Sequence, residues 1–248
     1  MSRGEPQVQV QLPTLLPWHR NLLLALFVAY VVELVLYNAG APIYEWLAWW
    51  SFSSGQFEPW QPFTRLLVQG ASRGAVFGVL FGLLVLYFFL GPLEDVLERR
   101  QLWRAIAAGA IAGTLLPLGV DALGLLSGPG NVALGWTFLV LALPTLFGLA
   151  RPDADVLLLI FPVKARVFLW GALVVALLIL LVEQSLDSFG SLGVWLGVYG
   201  WWNLLGPGAR RRDLKRQARG IERELRRFQV LEGGRKPKKR PPDDETVH

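Results

Sequence analysis

Long apolar runs govern what this chain can become. Six stand out, near Asn21 to Leu36, Ala75 to Leu90, Ala105 to Val120, Val132 to Leu149, Val167 to Val182 and Leu186 to Leu205. With 53% hydrophobic residues in 248 and a mean hydropathy of +0.42, the chain carries more apolar surface than a water-soluble core can hide. A bilayer accommodates it on one condition. No water reaches the backbone there, so only helices or closed barrels satisfy every N–H and C=O. The runs lack the period-two alternation of a barrel strand, and this predicts helices. Several fall short of the roughly 20 residues that cross a hydrocarbon core, so their ends extend into the neighbouring loops. The expected fold is all-α: a six-helix membrane bundle over residues 21–205, between a 1–20 cytoplasmic segment and a 206–248 basic cytoplasmic tail.

Charge orients the bundle. Of 24 Lys and Arg residues, 22 lie before the first run, in 99–104, in 151–166 or after 209, and only Arg65 and Arg73 lie elsewhere. These basic regions alternate along the spans, so the positive-inside rule puts both termini in the cytoplasm, with a bacterial inner membrane as the expected location. Glu45, Glu58, Asp121, Glu183 and Asp187 then fall on the outer side. Trp18, Trp201 and Trp202 fit interfacial anchors. The first run has no small-residue cleavage site and reads as an uncleaved helix.

Residue usage also excludes chemistry. Without cysteine there is no disulfide, thiolate nucleophile or cysteine metal site. The histidines are His19, beside the first span, and His248, so no imidazole serves inside the membrane; no metal or cofactor is expected.

The segment 41–65 after the first run is crowded with aromatics. Tyr44, Trp46, Leu47, Trp49 and Trp50 would cover much of one short helix, and the long outer loop is expected to lie in the membrane interface, anchored by Trp46, Trp49, Trp50 and Trp60. Ligand binding is the alternative use of these rings.

"PWQPFT" at 59–64, "GPLEDVL" at 91–97, "GPGNVALG" at 128–135 and "LLLIFPVKARVF" at 157–168, in this order among six spans, resemble the rhomboid family of intramembrane serine proteases across residues 15–205. The resemblance implies that the fourth span opens with glycine, any residue, serine, glycine, the serine being the nucleophile. Here Gly128, Pro129, Gly130 and Asn131 occupy the motif, and Gly130 stands at the serine position. The family's histidine base falls on Ser191 in "GSLG", whose hydroxyl cannot take up a proton near neutral pH as imidazole does. The side-chain oxyanion donors fall on Gly74 and Gly78, or on Gly78 and Gly82, depending on register. With nucleophile, base and donors replaced, the resemblance implies a non-enzymatic pseudoprotease. Gly128 to Gly130 then read as a helix start with proline in the first turn and Asn131 as N-cap. The alternative keeps Asn131 or Ser127 as a displaced catalytic group.

Gly74, Gly78 and Gly82 recur every four residues, as do Gly193 and Gly197. Such stripes let helices approach closely, and two uses stay open: internal packing, or a groove for a client transmembrane helix that includes Asn131. Glu33 is the ionisable residue well inside the first span; it either snorkels or pairs with Arg65 or Arg73, or it has a role of its own.

Residues 209–248 carry 14 basic and 7 acidic side chains, net +7, whereas the rest of the chain is net −2. Leu214, Ala218, Ile221, Leu225 and Phe228 form a stripe on a helix expected over about 209–231. It suits an interfacial helix on anionic lipid, or a short coiled coil making a homodimer. Beyond it the composition is that of a disordered segment, and nucleic acid is not an expected partner. The partners implied are the bilayer, anionic lipids at the tail and, because inactive rhomboids and derlins act on clients without cutting them, transmembrane segments of other proteins. An active protease with other catalytic residues, or a small structural or transport protein, is the alternative.

Overall fold

The computed structural model describes residues 16–126, 132–136, 140–158, 161–210, 212–214, 217–218 and 221–222. Helix α1 (Pro17–Asn38) opens on a proline, whose missing N–H is no loss in a first turn, and runs 22 residues without a breaker. Two short helices, α2 (Ile43–Leu47) and α3 (Gln61–Thr64), flank strand β1 (Trp49–Trp50). Ser72 caps α4 (Arg73–Glu94), its Oγ accepting from the Ala75 N–H at 3.1 Å. There follow α5 (Arg99–Ala122), β2 (Val132–Ala133), α6 (Ala142–Ala150), β3 (Asp155–Leu158), β4 (Phe161–Lys164), α7 (Arg166–Glu183) and α8 (Leu186–Leu204). A reciprocal Ser185–Ser188 capping box starts α8.

Among the described residues, four helices, α1, α4, α5 and α7, are long and apolar enough to cross a membrane. Their outward faces are leucine, valine and phenylalanine, while Glu33, Arg65 and Asp121 are buried. That distribution suits a hydrocarbon surround, in which apolar side chains need no cover and charges need partners.

The fourth and sixth apolar runs fold differently from the first, second, third and fifth. Within the fourth, the described helix α6 has nine residues, of which all but Pro144 and Leu149 are buried. Leu143, Leu146 and Phe147 fill the main core with Leu90 and Leu93 of α4, Leu102 of α5 and Val194 and Val198 of α8. A Cβ on Gly148 would lie 2.8 Å from the Ala165 carbonyl oxygen, so α6 sits directly against the start of α7. Helix α8 buries one face from Leu186 to Trp202, while Leu196, Tyr199 and Leu204 are exposed, and its glycines seat it on α5. A Cβ on Gly193 would come within 2.5 Å of the Ala112 carbonyl oxygen, and one on Gly197 would meet that of Ala108. On the facing helix Gly109 leaves room for Val194 and Val198.

Three expectations are corrected by this architecture. The aromatic stretch is helical only over α2; Trp49 and Trp50 form β1 and pair antiparallel with Ala133 and Val132. Trp49 is fully buried, so it is no interfacial anchor, whereas Trp46 and Trp60 are exposed and Trp50 is partly so. The fourth run does not begin as a helix: Val132 and Ala133 form β2 and the described helix begins at Ala142, while the expected start at Gly128 to Asn131 lies outside the described residues. The reason is a long-range partner: β1 offers a backbone edge that Val132 and Ala133 satisfy, and Gly135, at φ +90°, then turns the chain away. The "LLLIFPVK" stretch leading into α7 is likewise part of an antiparallel ladder, with Asp155 opposite Lys164 and Leu158 opposite Phe161.

The basic segments meet at one end of the bundle. His19, fully buried, lies 2.9 Å from Glu94 through Nε2, while its Nδ1 accepts from the Leu16 N–H at 3.3 Å. The Trp18 indole N–H donates to the same carboxylate at 3.2 Å, and Arg99 stacks 4.6 Å from the Trp18 ring. This network fastens α1 to the connection between α4 and α5. In the tail, the described residues 212–214, 217–218 and 221–222 are helical.

Candidate functional site

At the opposite end, polar side chains drawn from distant parts of the sequence converge under the aromatic loop. Arg65, directly after α3, is fully buried. Its Nη1 donates to Asp187 Oδ1 at 3.1 Å, its Nη2 to the Gly113 carbonyl at 3.1 Å, and its guanidinium lies 5.0 Å from the Trp49 ring centroid. Burial pulls the guanidinium below its ordinary pKa, and the Asp187 carboxylate works against that. Asp187 also accepts from the Leu134 N–H at 3.2 Å. One ion pair thus ties the loop before α4 to α5, to the first turn of α8 and to the strand leading to α6. The carboxylate also stands in the first turn of α8, where the helix dipole favours negative charge.

Around this pair the loop is stitched by buried amides and carboxylates. Gln61 accepts through Oε1 from the N–H groups of Trp50 (3.2 Å) and Glu58 (3.1 Å), and its amide donates to the Gln56 carbonyl at 3.0 Å. Asp121, in the last turn of α5, accepts from Ser51 Oγ at 2.6 Å and from the Phe52 N–H at 2.9 Å. The Gln69 carboxamide oxygen, turned towards Trp136, accepts from its indole N–H at 2.7 Å and its backbone N–H at 3.0 Å. Gly135 leaves space for that amide, and its N–H donates to the Arg65 carbonyl at 2.9 Å.

Glu33 pairs with neither Arg65 nor Arg73. It is buried and accepts from the backbone N–H of Gln69 (2.8 Å) and Gly70 (2.7 Å) and from the Tyr44 hydroxyl (2.9 Å). Burial, then the hydrogen bond and charge of Glu33, hold the Tyr44 phenol well above its usual range. The backbone donors replace a cation because the chain before α4 is extended at Val68 and turns at Gly70 (φ +96°), which frees consecutive N–H groups to aim at α1.

Ser191 lies one turn into α8 from Asp187, and its hydroxyl donates to the Asp187 carbonyl at 3.0 Å. A proton already committed to the helix backbone is not poised for transfer. The Arg65 guanidinium reaches the neighbouring glycine: a Cβ on Gly190 would be 3.5 Å from Nη2. Gly130 and Asn131 lie outside the described residues. The second-span glycines divide along α4. Gly82 is buried, and a Cβ there would lie 2.8 Å from the Trp136 ring; Gly78 is half-buried; Gly74 is exposed, with only Ser72 Oγ nearby at 3.7 Å.

These contacts clamp distant elements together. Arg65, Asp187, Asp121, Gln61 and Gln69 were not singled out as site residues in the sequence. Each is a lone polar residue beside an apolar run, and its partner is as much as 122 positions away. A usable signal existed in the positive-inside count, in which Arg65 is one of two basic residues on the wrong side. By fold, the chain is a helical membrane protein with a polar clamp at one end of its bundle. No protein-family model and no curated protein matches it.

Proposed function

We propose that the chain is a rhomboid-like six-span membrane protein that has lost the serine–histidine dyad and holds transmembrane segments of client proteins, affecting their stability or trafficking. The observation that carries this reading is Ser191. At the position where the resemblance calls for an imidazole, the hydroxyl donates to the Asp187 carbonyl, one turn from a buried guanidinium. A cation there would oppose protonation of any nearby base, and the clamp stabilises the bundle without chemistry.

Two further features support it. The short central helix α6, enclosed by α4, α5, α7 and α8, suits the fourth span of such a bundle. The glycine face of α4 is used by Trp136 at Gly82 but leaves Gly74 exposed and Gly78 half-buried, beside the exposed Phe77 and Phe81. A client helix would pack there by backbone approach. Both termini are cytoplasmic in this reading, and the basic tail lies on anionic lipid.

The test joins fluorophosphonate labelling, with an active rhomboid as positive control, to photocrosslinking from position 77. The expected outcome is an unlabelled chain that crosslinks to single-span membrane proteins from Phe77 more than from Val28, an exposed position on α1. Labelling at any serine would overturn the inactive reading, and equal crosslinking from both positions would overturn the client face.

A further inference from the structure

An open groove of about 420 Å³ lies between α5 and α8, at the end of the bundle where the basic segments gather. Its walls follow from the packing below it. Gly197 lets α8 rest on Ala108; one turn later Trp201 stands where another glycine would be needed for the helices to stay in contact, and the groove opens there. Ala108 and Ile111 line its apolar part. Gln101, Arg104 and Arg210 line its polar part, and no acidic residue among the described ones does. Neither arginine has an ion-pair partner among the described residues.

We infer that this groove binds an anionic phospholipid, its phosphate between Arg104 and Arg210 and one acyl chain along Ala108 and Ile111. Two cations without an ion-pair partner among the described residues, at the edge of a hydrocarbon layer, call for an anion. The apolar lining directly beside them selects one attached to a hydrocarbon tail, and the tryptophan suits the headgroup boundary. A free anion would leave the apolar part of the groove empty, and a zwitterionic lipid would leave the paired positive charge uncompensated. The site differs from general attraction of the tail to a charged surface, because it needs Arg104 of α5 and a gap between two packed helices. It does not depend on client binding or on the catalytic reading.

The experiment is native mass spectrometry of the full chain, released from nanodiscs of equimolar phosphatidylglycerol and phosphatidylcholine. The wild type is expected to retain one phosphatidylglycerol in preference to phosphatidylcholine. Arg104→Gln with Arg210→Gln is expected to lower that preference by about tenfold or more, from the contribution of each basic residue near anionic lipid. Ala107→Phe, an exposed position on the lining, is expected to block retention of either lipid while leaving the charges in place. Lys236→Gln, Lys238→Gln, Lys239→Gln and Arg240→Gln together, which change the tail alone, should leave retention as it is. A double arginine variant that keeps its preference would overturn the inference. So would loss of retention in the tail variant, or an Ala107→Phe protein that binds as the wild type does. Thermal unfolding of each variant, expected at the wild-type temperature, separates a lost site from a lost fold.

Discussion

At the residue scale the buried guanidinium of Arg65 has the largest structural consequence. It is fully enclosed, and through its partners Asp187 and the Gly113 carbonyl it ties both α8 and the middle of α5 to the loop. Arg65→Leu would leave a partly exposed carboxylate and a buried carbonyl short of their donor, a loss of about 1–3 kcal/mol. Unfolding in mixed detergent micelles should show that loss, with part of it recovered on adding Asp187→Leu. Trp49 makes the contrast. It is equally buried, yet its indole N–H has no acceptor among the described residues. Trp49→Phe keeps a ring beside Arg65 and removes a polar atom that gains nothing, so the same measurement should move only by the cavity the smaller ring leaves, about 1–2 kcal/mol. A large loss would mean that the indole N–H is used. Little of this was legible beforehand: a lone arginine after "QPFT" looks like a loop charge, and Asp187 looks like an N-terminal helix residue.

At the element scale, the spacing of Gly193 and Gly197 was legible and its partner was not. Periodicity shows that one face of α8 is small, but the structure decides that α5 occupies it. Gly193→Val places a methyl against the Ala112 backbone, which cannot step aside, so α5 and α8 must separate. A loss of about 2 kcal/mol is expected, typical of overpacking a tight contact. Gly200→Ala on the same helix, with nothing within 4 Å, should be neutral or gain up to about 1 kcal/mol from helix propensity. Equal losses in the two would show that helix backbone freedom, and not close packing, is what the glycines provide. The fourth apolar run carries the opposite lesson. Composition made Val132 to Leu149 resemble a span, yet its first residues pair with Trp49 and Trp50, more than 80 positions earlier, and α6 begins only at Ala142. Hydropathy cannot tell a buried strand and a short enclosed helix from one membrane helix, because all of them are apolar.

At the scale of the whole molecule, the contacts gather the basic segments at one end and the Glu33, Asp121 and Arg65–Asp187 clamps at the other. If charge sets the orientation, Gln56 and Asp153 lie on opposite sides of the membrane. The chain has no native cysteine, so single substitutions report directly. Gln56→Cys should react with a membrane-impermeant maleimide in intact cells, and Asp153→Cys only after permeabilisation; the reverse pattern would invert the topology. The sequence by itself determined that this is a helical membrane protein with polarity between its ends, because an apolar run in a bilayer has few ways to satisfy its backbone, and basic loops resist translocation. Only the tertiary structure decided that four of the described helices are long and apolar enough to span, that α6 is enclosed and α8 seats its glycine face on α5, and that Glu33 binds backbone N–H groups and not arginine. Those outcomes depend on which distant backbone edge or lone charge meets which, and pairing of that kind leaves no periodic trace in the chain.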